Sequence, residues 1–169
     1  KAINYAVDRE EIIEGAAWGM GSAVGSIISP AMDFWYKDLT GTYPHDPEQA
    51  RALLAEAGYP DGFSASLHLP APYPLHCSAG EILAAQLSRV GIDLNIQVVE
   101  WGTWLEQIYT NREFELTVVG LTGRLDPHTM LNRYQSGSGR NTSNFSSQEY
   151  DELLALGLQE TDPEQRVAI

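Results

Sequence analysis

The segment best suited to bind a ligand is a short glycine-containing loop with a single cation. It runs from Gly120 to His128 and reads GLTGRLDPH. Its small residues allow a ligand to approach the backbone, and Asp126 with Pro127 has the form of a capped helix start. Free backbone amides and the guanidinium of Arg124 both favour an anionic group. The loop therefore predicts an anion site, against the alternative of a plain strand-to-helix connection with a solvated arginine.

Two tryptophans are further candidates for contact with a ligand. Trp18 and Trp35 flank a segment rich in small residues, where an aromatic ring could stack on a bound molecule. The competing interpretation is packing, because large aromatic residues are more often partly buried. For Trp101 and Trp104, which follow a predicted strand at the start of a short helix, packing is the prediction.

The sequence predicts neither a metal site nor an enzyme. The four histidines have no metal-ligand spacing, His128 is expected in the first turn of a helix, and Cys77 is the only cysteine. The only lysines, Lys1 and Lys37, do not follow the glycines of a P-loop, and neither HExxH nor GxSxG occurs. Residues 19–25 have the wrong glycine spacing for a dinucleotide turn. We therefore expect no catalysis and no cofactor.

The elements around the loop alternate between strand and helix. The spacing of apolar residues predicts one amphipathic helix from Ala2 to about Ala17. DPEQ motifs at 46–49 and 162–165 open two further helices, and Gly58 ends the first of them. The intervening pattern predicts strand, helix, strand, short helix and strand over residues 63–69, 79–90, 93–99, 103–110 and 114–121.

This order of elements predicts an α/β fold. Helices that cross over between strands make neighbouring strands parallel, so we expect a mixed, mainly parallel sheet flanked by helices in a three-layer-like arrangement. Ligands of such sheets bind beyond the carboxyl ends of the strands. The loop that begins at Gly120 follows the third predicted strand, which places it at this edge.

The net charge of the chain makes some classes of binding partner unfavourable. A net charge of −13 opposes binding to nucleic acid and to anionic lipid surfaces, because both depend on lysine and arginine. An uncharged span at residues 15–32 contains four glycines, three serines and a proline, so we interpret it as a loop and expect no membrane insertion. The length of 169 residues suits a single domain.

Two phrases resemble a known family. AINYAVDRE at 2–10 and YPHDPEQARALLAEAGYPDGF at 43–63 resemble the start of the second lobe of ABC-transporter solute-binding proteins that capture oligopeptides, dipeptides and nickel. The resemblance covers nearly the whole chain through further short blocks at residues 90–94, 100–101, 126–127, 144–145 and 150–154.

The resemblance implies a lobe of the periplasmic-binding-protein type II kind. Residues 1–169 would be a single domain from a larger two-lobed protein, with any signal sequence outside this segment. The lobes would close around a peptide or another small hydrophilic solute and deliver it to an ABC permease in the membrane. The expected location is periplasmic or extracellular and membrane-associated.

The loop departs from the pattern of the peptide-binding relatives. Their matching segment resembles Gly-Trp-x-x-Asp, in which the acid pairs with the α-ammonium group of the peptide. Leu121 stands in place of that Trp and Arg124 in place of the acid, which reverses the charge of the anchor. The loop is one residue shorter than in the dipeptide-binding relatives. Its length is closer to that of the nickel-binding relatives, which have an aromatic residue where Leu125 stands. The expected ligand contacts are Leu121, Thr122, Gly123, Arg124, Leu125, Trp35 and Trp18.

An alternative function is ligand sensing or protein interaction without transport. The segment from Tyr150 to Glu160 carries Leu153, Leu154, Leu156 and Leu158, which could form an apolar stripe for a partner. Burial of the stripe against the sheet is the expectation. An exposed stripe would favour the protein-interaction function, because soluble proteins rarely expose large apolar patches.

Overall fold

A computed structural model describes residues 1–169, and the chain divides into two compact units. The first unit comprises Lys1–Ala23 and Thr40–Gly120, and the second comprises Val24–Leu39 and Leu121–Ile169. The first unit contains the whole β-sheet, and the second is built from short helices and loops. None of the helices combines the length and the apolar character needed to cross a membrane.

The first unit begins with two helices where the sequence predicts one. Helices α1 (Ala2–Ala6) and α2 (Arg9–Ala17) are separated by Val7, whose backbone is extended, and by Asp8. The Asp8 carboxylate accepts hydrogen bonds from the backbone N–H groups of the next helix, which starts a new helix at this position. The expectation of a single helix over 2–17 is therefore wrong.

The break between α1 and α2 is fixed from a distant part of the chain. The side chain of Gln86, which is 2% exposed, accepts from the Asp8 backbone N–H at 3.1 Å and donates to the Asp8 carbonyl at 3.0 Å. The first bond satisfies the Asp8 N–H, which has no partner in a helix, and the second adds to the bond that the Asp8 carbonyl accepts from the Ile12 N–H of α2. A residue 78 positions away thus stabilises the interruption.

The sheet is parallel throughout, which agrees with the prediction of a mainly parallel sheet, although no antiparallel strand makes it mixed. Strands β1 (Phe63–Pro70), β2 (Ile92–Val99) and β3 (Leu116–Thr117) lie in the order β2-β1-β3. The first two strands pair along their whole length, from Phe63 opposite Ile92 to Pro70 opposite Val99. Helices α3 (Pro47–Glu56) and α4 (Pro74–Ser88) complete this part, and α4 packs against β1 and β2.

Strand β3 is much shorter than the predicted strand over 114–121. Side chains in this strand and directly before it also form hydrogen bonds to β1. The Glu115 carboxylate accepts from the backbone N–H and the hydroxyl of Ser66, each at 2.6 Å, and the Thr117 hydroxyl donates to the carbonyl of His68 at 2.7 Å. Regular pairing with β1 is therefore limited to Leu116 and Thr117.

The core of the first unit lies between its helices and the sheet. Leu67 and Leu69 of β1 are fully buried, and Gly80 allows α4 to approach them closely. A Cβ atom at Gly80 would lie 2.5 Å from a methyl carbon of Leu69, which no side chain could occupy without a shift. A second group of buried residues joins the helices to β2; it comprises Ala6, Ala50, Leu54, Leu87, Val90 and Ile92.

The remaining helices confirm the predicted caps. After β2 the chain forms α5 (Trp101–Thr103) and a π-helical segment (Trp104–Thr110). The second unit contains α6 (Pro127–Leu131), α7 (Gln148–Gln159) and α8 (Pro163–Ala168). The side chains of Asp46, Asp126 and Asp162 each accept a backbone N–H at the start of α3, α6 and α8.

The apolar stripe on α7 is not buried against the sheet. Leu154 is 7% exposed, whereas Leu153, Leu156 and Leu158 are 41%, 53% and 63% exposed. Within its unit, α7 packs on α6, where the Tyr150 hydroxyl donates to the carbonyl of Leu131 at 2.8 Å. The expectation of burial is wrong for three of the four leucines, because α7 buries only one face.

Candidate functional site

The three strands of the sheet end at one edge, and the segments that follow them form the candidate site of the first unit. Strand β1 ends at Pro70, and the Ala71 N–H then donates to the carbonyl of Val99 at the end of β2. Parallel strands place their carboxyl ends together, so the segments after β1 and β2 meet at this edge. They bring Tyr73 and Trp101 into contact.

Aromatic rings form a continuous cluster at this edge, which we call the aromatic cluster (Tyr73, His76, Trp101 and Trp104). The rings of Trp101 and Trp104 are stacked, with centroids 5.0 Å apart and planes 6° apart. The ring of Tyr73 meets Trp101 edge-on at 5.1 Å and lies 5.1 Å from His76. Such faces attract planar and apolar groups through dispersion and quadrupole forces.

The side chains of the aromatic cluster differ in their exposure to solvent, and this difference distinguishes the buried residue from the accessible ones. Trp104 is 3% exposed, which confirms the prediction of packing for this residue. Trp101 is only half-buried, and Tyr73 is 39% exposed, so both reach solvent at the edge where ligands bind. Trp104 therefore supports the cluster from inside, and Trp101 with Tyr73 forms its solvent-accessible side.

His76 connects the aromatic cluster to Gly120, three residues after the end of β3. Its Nε2 atom accepts a hydrogen bond from the Gly120 backbone N–H at 3.0 Å, so Nδ1 carries the proton of the neutral ring. Burial lowers the pKa of His76, which favours this neutral form. A Cβ atom at Gly120 would lie 2.8 Å from Nε2, so a larger residue here would require the imidazole or the backbone to move.

Sequence reasoning missed Tyr73, His76 and the exposed part of Trp101. The signal was present, because each of these residues follows a predicted strand within a few positions. The contact that brings His76 to Gly120 spans 44 residues, which no local pattern records. Only the loop after the third strand was selected at this edge.

Apart from Gly120, the predicted ligand loop lies in the second unit, and its residues 121–126 are open to solvent. All residues from Leu121 to Leu125 are exposed, and Leu125 is 98% exposed. Arg124 is exposed, so its charge is accessible to an anion from solvent. Thr122 and Gly123 leave the backbone accessible, and a Cβ atom at Gly123 would meet nothing within 4 Å. A role for these residues in ligand contact stays a prediction.

The loop ends at an ion pair. Asp126 accepts the His128 backbone N–H at 2.8 Å and pairs with the Arg166 guanidinium at 3.0 Å. His128 lies in the first turn of α6, as the sequence predicts. The segment after Arg124 is therefore held at its Asp126 end.

The structure places the two candidate tryptophans in different units. Trp35 belongs to the second unit, is half-buried, and has the Arg166 guanidinium 5.3 Å from its ring centroid. It lines a mainly apolar cavity of roughly 200 Å³ together with Tyr150 and Arg166. Trp18 belongs to the first unit, is 84% exposed and has a left-handed backbone at φ 57°. Contact of either residue with a ligand stays a prediction.

Metal-binding side chains are not grouped in this chain. No three or more His, Cys, Asp or Glu residues lie close enough together to hold an ion. The groups present at the carboxyl edge offer stacking, apolar contact and hydrogen bonding.

Comparison with known proteins gives the family. Residues 1–142 match the model of the bacterial extracellular solute-binding proteins, family 5 Middle. The chain belongs to this family. The resemblance seen in the sequence is thereby confirmed over most of the chain.

Individual family members agree with this assignment. The chain is 34% identical to heme-binding protein A of Haemophilus influenzae, a match that covers 100% of this chain and 32% of the relative. It superposes with a TM-score of 0.90 on the dipeptide-binding protein of Pseudoalteromonas sp. SM9913 in complex with Met-Leu, at 27% identity, covering 99% of this chain and 34% of that one. The AgaA protein of A. tumefaciens R10 in complex with agropinic acid gives 0.87 at 31% identity, covering 99% and 35%.

These structures confirm the predicted fold class. They are periplasmic binding proteins, and their matching parts are lobes of the type II kind with a parallel sheet between helices. The chain spans about a third of the length of the relatives it matches.

Proposed function

We propose that residues 1–169 form one domain-sized part of the second lobe of a longer solute-binding protein of an ABC importer. Family membership over residues 1–142 supports this proposal, as does the coverage of about a third of each relative. The observation that carries it is the aromatic cluster at the carboxyl edge of the sheet, where Trp101 and Tyr73 remain accessible.

The proposed mechanism is ligand capture without chemistry. A peptide or another small hydrophilic solute contacts both lobes of the full-length protein only when they are closed. Its higher affinity for the closed state then shifts the population toward that state. The closed protein docks on a membrane permease and releases the solute. Catalysis has no part in this cycle.

The proposed contacts on this chain are of two kinds. Trp101 and Tyr73 stack on planar or apolar groups of the ligand. Arg124, at the exposed turn of Leu121 to Leu125, meets a carboxylate or another anion, with Trp35 and Trp18 as additional aromatic contacts. The aromatic edge of the first unit favours a ligand with a planar or apolar part, and Arg124 of the second unit favours a ligand with an anionic group. The relative solved with agropinic acid and the one solved with a dipeptide support such a ligand class.

The proposed location is periplasmic or extracellular, and the proposed protein partner is the permease. The net charge of −13 supports solubility at high concentration and disfavours nucleic acid as a partner.

A thermal-shift titration of the full-length protein tests the anionic anchor. The probes are Met-Leu, Met-Leu with its carboxylate amidated, and agropinic acid, each measured with wild type, Arg124→Ala and Arg51→Ala. A ligand of the native state raises the unfolding midpoint according to its affinity. We expect the free acids to stabilise wild type and the Arg124→Ala variant to lose affinity about tenfold, because a charge-assisted hydrogen bond contributes about that much.

The control variant removes an exposed arginine from another place. Arg51 lies on α3 and pairs with Glu48, so Arg51→Ala gives the same charge change without touching the loop. Equal responses of the two variants to every probe would remove Arg124 from the site. Failure of all probes to shift wild type would contradict the proposed ligand class.

A second candidate function is protein interaction without transport, and the exposed leucines of α7 favour it. Leu153, Leu156 and Leu158 lie on one short helix with 41%, 53% and 63% exposure. Sedimentation analysis of the full-length protein, wild type against Leu156→Gln with Leu158→Gln, distinguishes the functions. Self-association that the substitutions abolish would support an interaction surface, and an unchanged monomer would count against it.

A further inference from the structure

The buried indole of Trp104 is held by one hydroxyl group. Its Nε1–H donates to Oγ1 of Thr117 at 3.0 Å, and that hydroxyl donates to the carbonyl of His68 at 2.7 Å. A threonine hydroxyl has one hydrogen to donate, and its lone pairs accept. Because the hydrogen goes to His68, the oxygen is free to accept the indole N–H. The direction of both bonds is therefore fixed.

This chain of bonds connects three elements of the first unit. Thr117 lies on β3 opposite His68 of β1, and Trp104 begins the π-helical segment. Trp104 is 3% exposed, so its indole N–H has no access to solvent as an alternative partner. An unpaired buried donor is costly, and the indole therefore remains where the hydroxyl is.

The helix that carries Trp104 is a weak support by itself. The segment Trp104–Thr110 is π-helical, a conformation that is rare in proteins and is frequently found at functional sites. An anchor outside the helix gives the ring an orientation that the helix alone does not guarantee. Thr117 supplies this anchor from the neighbouring strand.

We infer that Thr117 is a positioning residue for the ligand-facing ring of Trp101, acting through Trp104. Trp101 stacks on Trp104 with planes 6° apart, so a rotation of the inner indole displaces the outer one. The hydroxyl of Thr117 thus contributes to ligand affinity without touching the ligand. This inference rests on the proposed function, in which Trp101 contacts the solute. The ligand group that it concerns is planar or apolar, because a fixed aromatic face selects such groups.

Substitutions in the full-length protein separate the hydroxyl from the shape of the side chain. Thr117→Val keeps the shape and removes the hydroxyl, and Thr117→Ser keeps the hydroxyl. Thr110→Val is the matched control, since the Thr110 hydroxyl bonds to the carbonyl of Leu105 in the same π-helical segment and does not bond to Trp104. The probe is the dipeptide Met-Leu, measured by titration calorimetry.

The expected result is a selective loss of affinity. Leaving the indole N–H unpaired should weaken Met-Leu binding about fivefold to tenfold in Thr117→Val. Thr117→Ser and Thr110→Val should remain close to wild type. Wild-type affinity in Thr117→Val would overturn the inference.

A measurement without ligand keeps the inference testable if Met-Leu does not bind. Hydrogen exchange of the Trp104 indole N–H, followed by NMR, should be slow in wild type and Thr117→Ser and fast in Thr117→Val. The indole resonance of Trp101 should shift in the same variant. Absence of Met-Leu binding to wild type would contradict the choice of ligand, whereas unchanged exchange and an unshifted Trp101 would contradict the positioning role.

A double-mutant cycle guards against a folding defect. Trp104→Phe keeps an aromatic ring for stacking and removes the indole N–H, so it breaks the same bond from the other side. If Thr117 acts through Trp104, the double variant should bind no more weakly than the weaker single variant. Additive losses would show that the two residues act independently and would overturn the inference.

Discussion

Arg166 and Asp126 form a two-bond ion pair across 40 residues of sequence. Nη1 lies 3.0 Å from Oδ2, and Nη2 lies 3.3 Å from Oδ1. Nε of the same guanidinium donates to the carbonyl of Gly157 at 2.7 Å, and the group also faces the ring of Trp35. One side chain on α8 thereby connects α7, the start of α6 and an aromatic residue within the second unit.

Replacing Asp126 by Asn should isolate the contribution of this ion pair. Asn still caps α6, since its side-chain oxygen can accept the His128 N–H. The variant should therefore lose only the charge pairing, about 0.5 to 1 kcal/mol for a partly exposed pair. Urea unfolding at pH 7 measures the difference. A much larger loss would indicate that the cap is also broken.

The same variant should respond less to acid than wild type. Partial burial acts to raise the pKa of Asp126, but hydrogen bonds and charge from Arg166, with the backbone N–H groups of His128 and Thr129, outweigh it and lower the pKa. The stabilisation is therefore present above the ordinary pKa of an aspartate, about 4, and is lost as the pH falls through the lower folded value. Wild type and Asp126→Asn should converge in stability toward pH 2. A constant difference down to that pH would contradict this account.

His76 should give stability a second pH dependence at higher pH. Burial lowers the pKa of His76, so the unfolded chain binds a proton more readily than the folded one. Stability is then greatest above the ordinary histidine pKa of about 6.5 and falls as the pH drops below it. In His76→Gln the amide oxygen can still accept the Gly120 N–H without titrating. Unfolding midpoints of wild type should fall more steeply between pH 7.5 and 5 than those of the variant, and parallel profiles would contradict the assignment.

Gly120→Ala tests the fit between this glycine and His76. The new Cβ atom would lie 2.8 Å from Nε2, so the imidazole or the backbone must move. Overpacking of this kind costs about 1 to 3 kcal/mol. Gly41→Ala is the matched control in the same unit, since a Cβ atom there meets nothing within 4 Å. Thermal unfolding of both variants should show a loss only at Gly120, and equal midpoints would show that the edge accommodates a side chain.

Local chemistry made part of this fold predictable. Asp46, Asp126 and Asp162 each precede a proline and accept an N–H from within three residues, so the whole interaction is contained in a short stretch of sequence. Strands β1 and β2 were predictable for a similar reason, because alternation and flanking turns mark them locally.

Long-range contacts explain the differences. The break between α1 and α2 depends on Gln86, which lies 78 residues from Asp8. The short β3 depends on Glu115, whose carboxylate bonds to Ser66 across 49 residues. Apolar periodicity does not record either contact. The sequence pattern therefore overestimated the length of both elements.

The sequence pointed to the same edge of the sheet as the candidate site in the structure, but to a different set of residues there. General physics of parallel sheets indicated the carboxyl ends of the strands, where Tyr73 and Trp101 meet. The residue types in the loop after the third strand drew attention to Arg124, because a lone cation is visible in a sequence. The stacking of Trp101 on Trp104 is not visible in a sequence, because the orientation of the side chains decides which of two nearby tryptophans is exposed.

The most direct test of the account is titration calorimetry of the full-length protein with Met-Leu and agropinic acid, comparing wild type, Trp101→Ala and Tyr59→Ala. Tyr59 is 49% exposed and packs on Phe63 at the amino end of β1. The Tyr59→Ala substitution therefore removes an aromatic ring from the opposite end of the same sheet. We expect wild type and Tyr59→Ala to bind at least one probe with similar affinity and Trp101→Ala to bind it about tenfold more weakly, in keeping with the loss of an aromatic contact. Equal affinity of Trp101→Ala and wild type would contradict the claim that the carboxyl edge of this sheet holds the ligand.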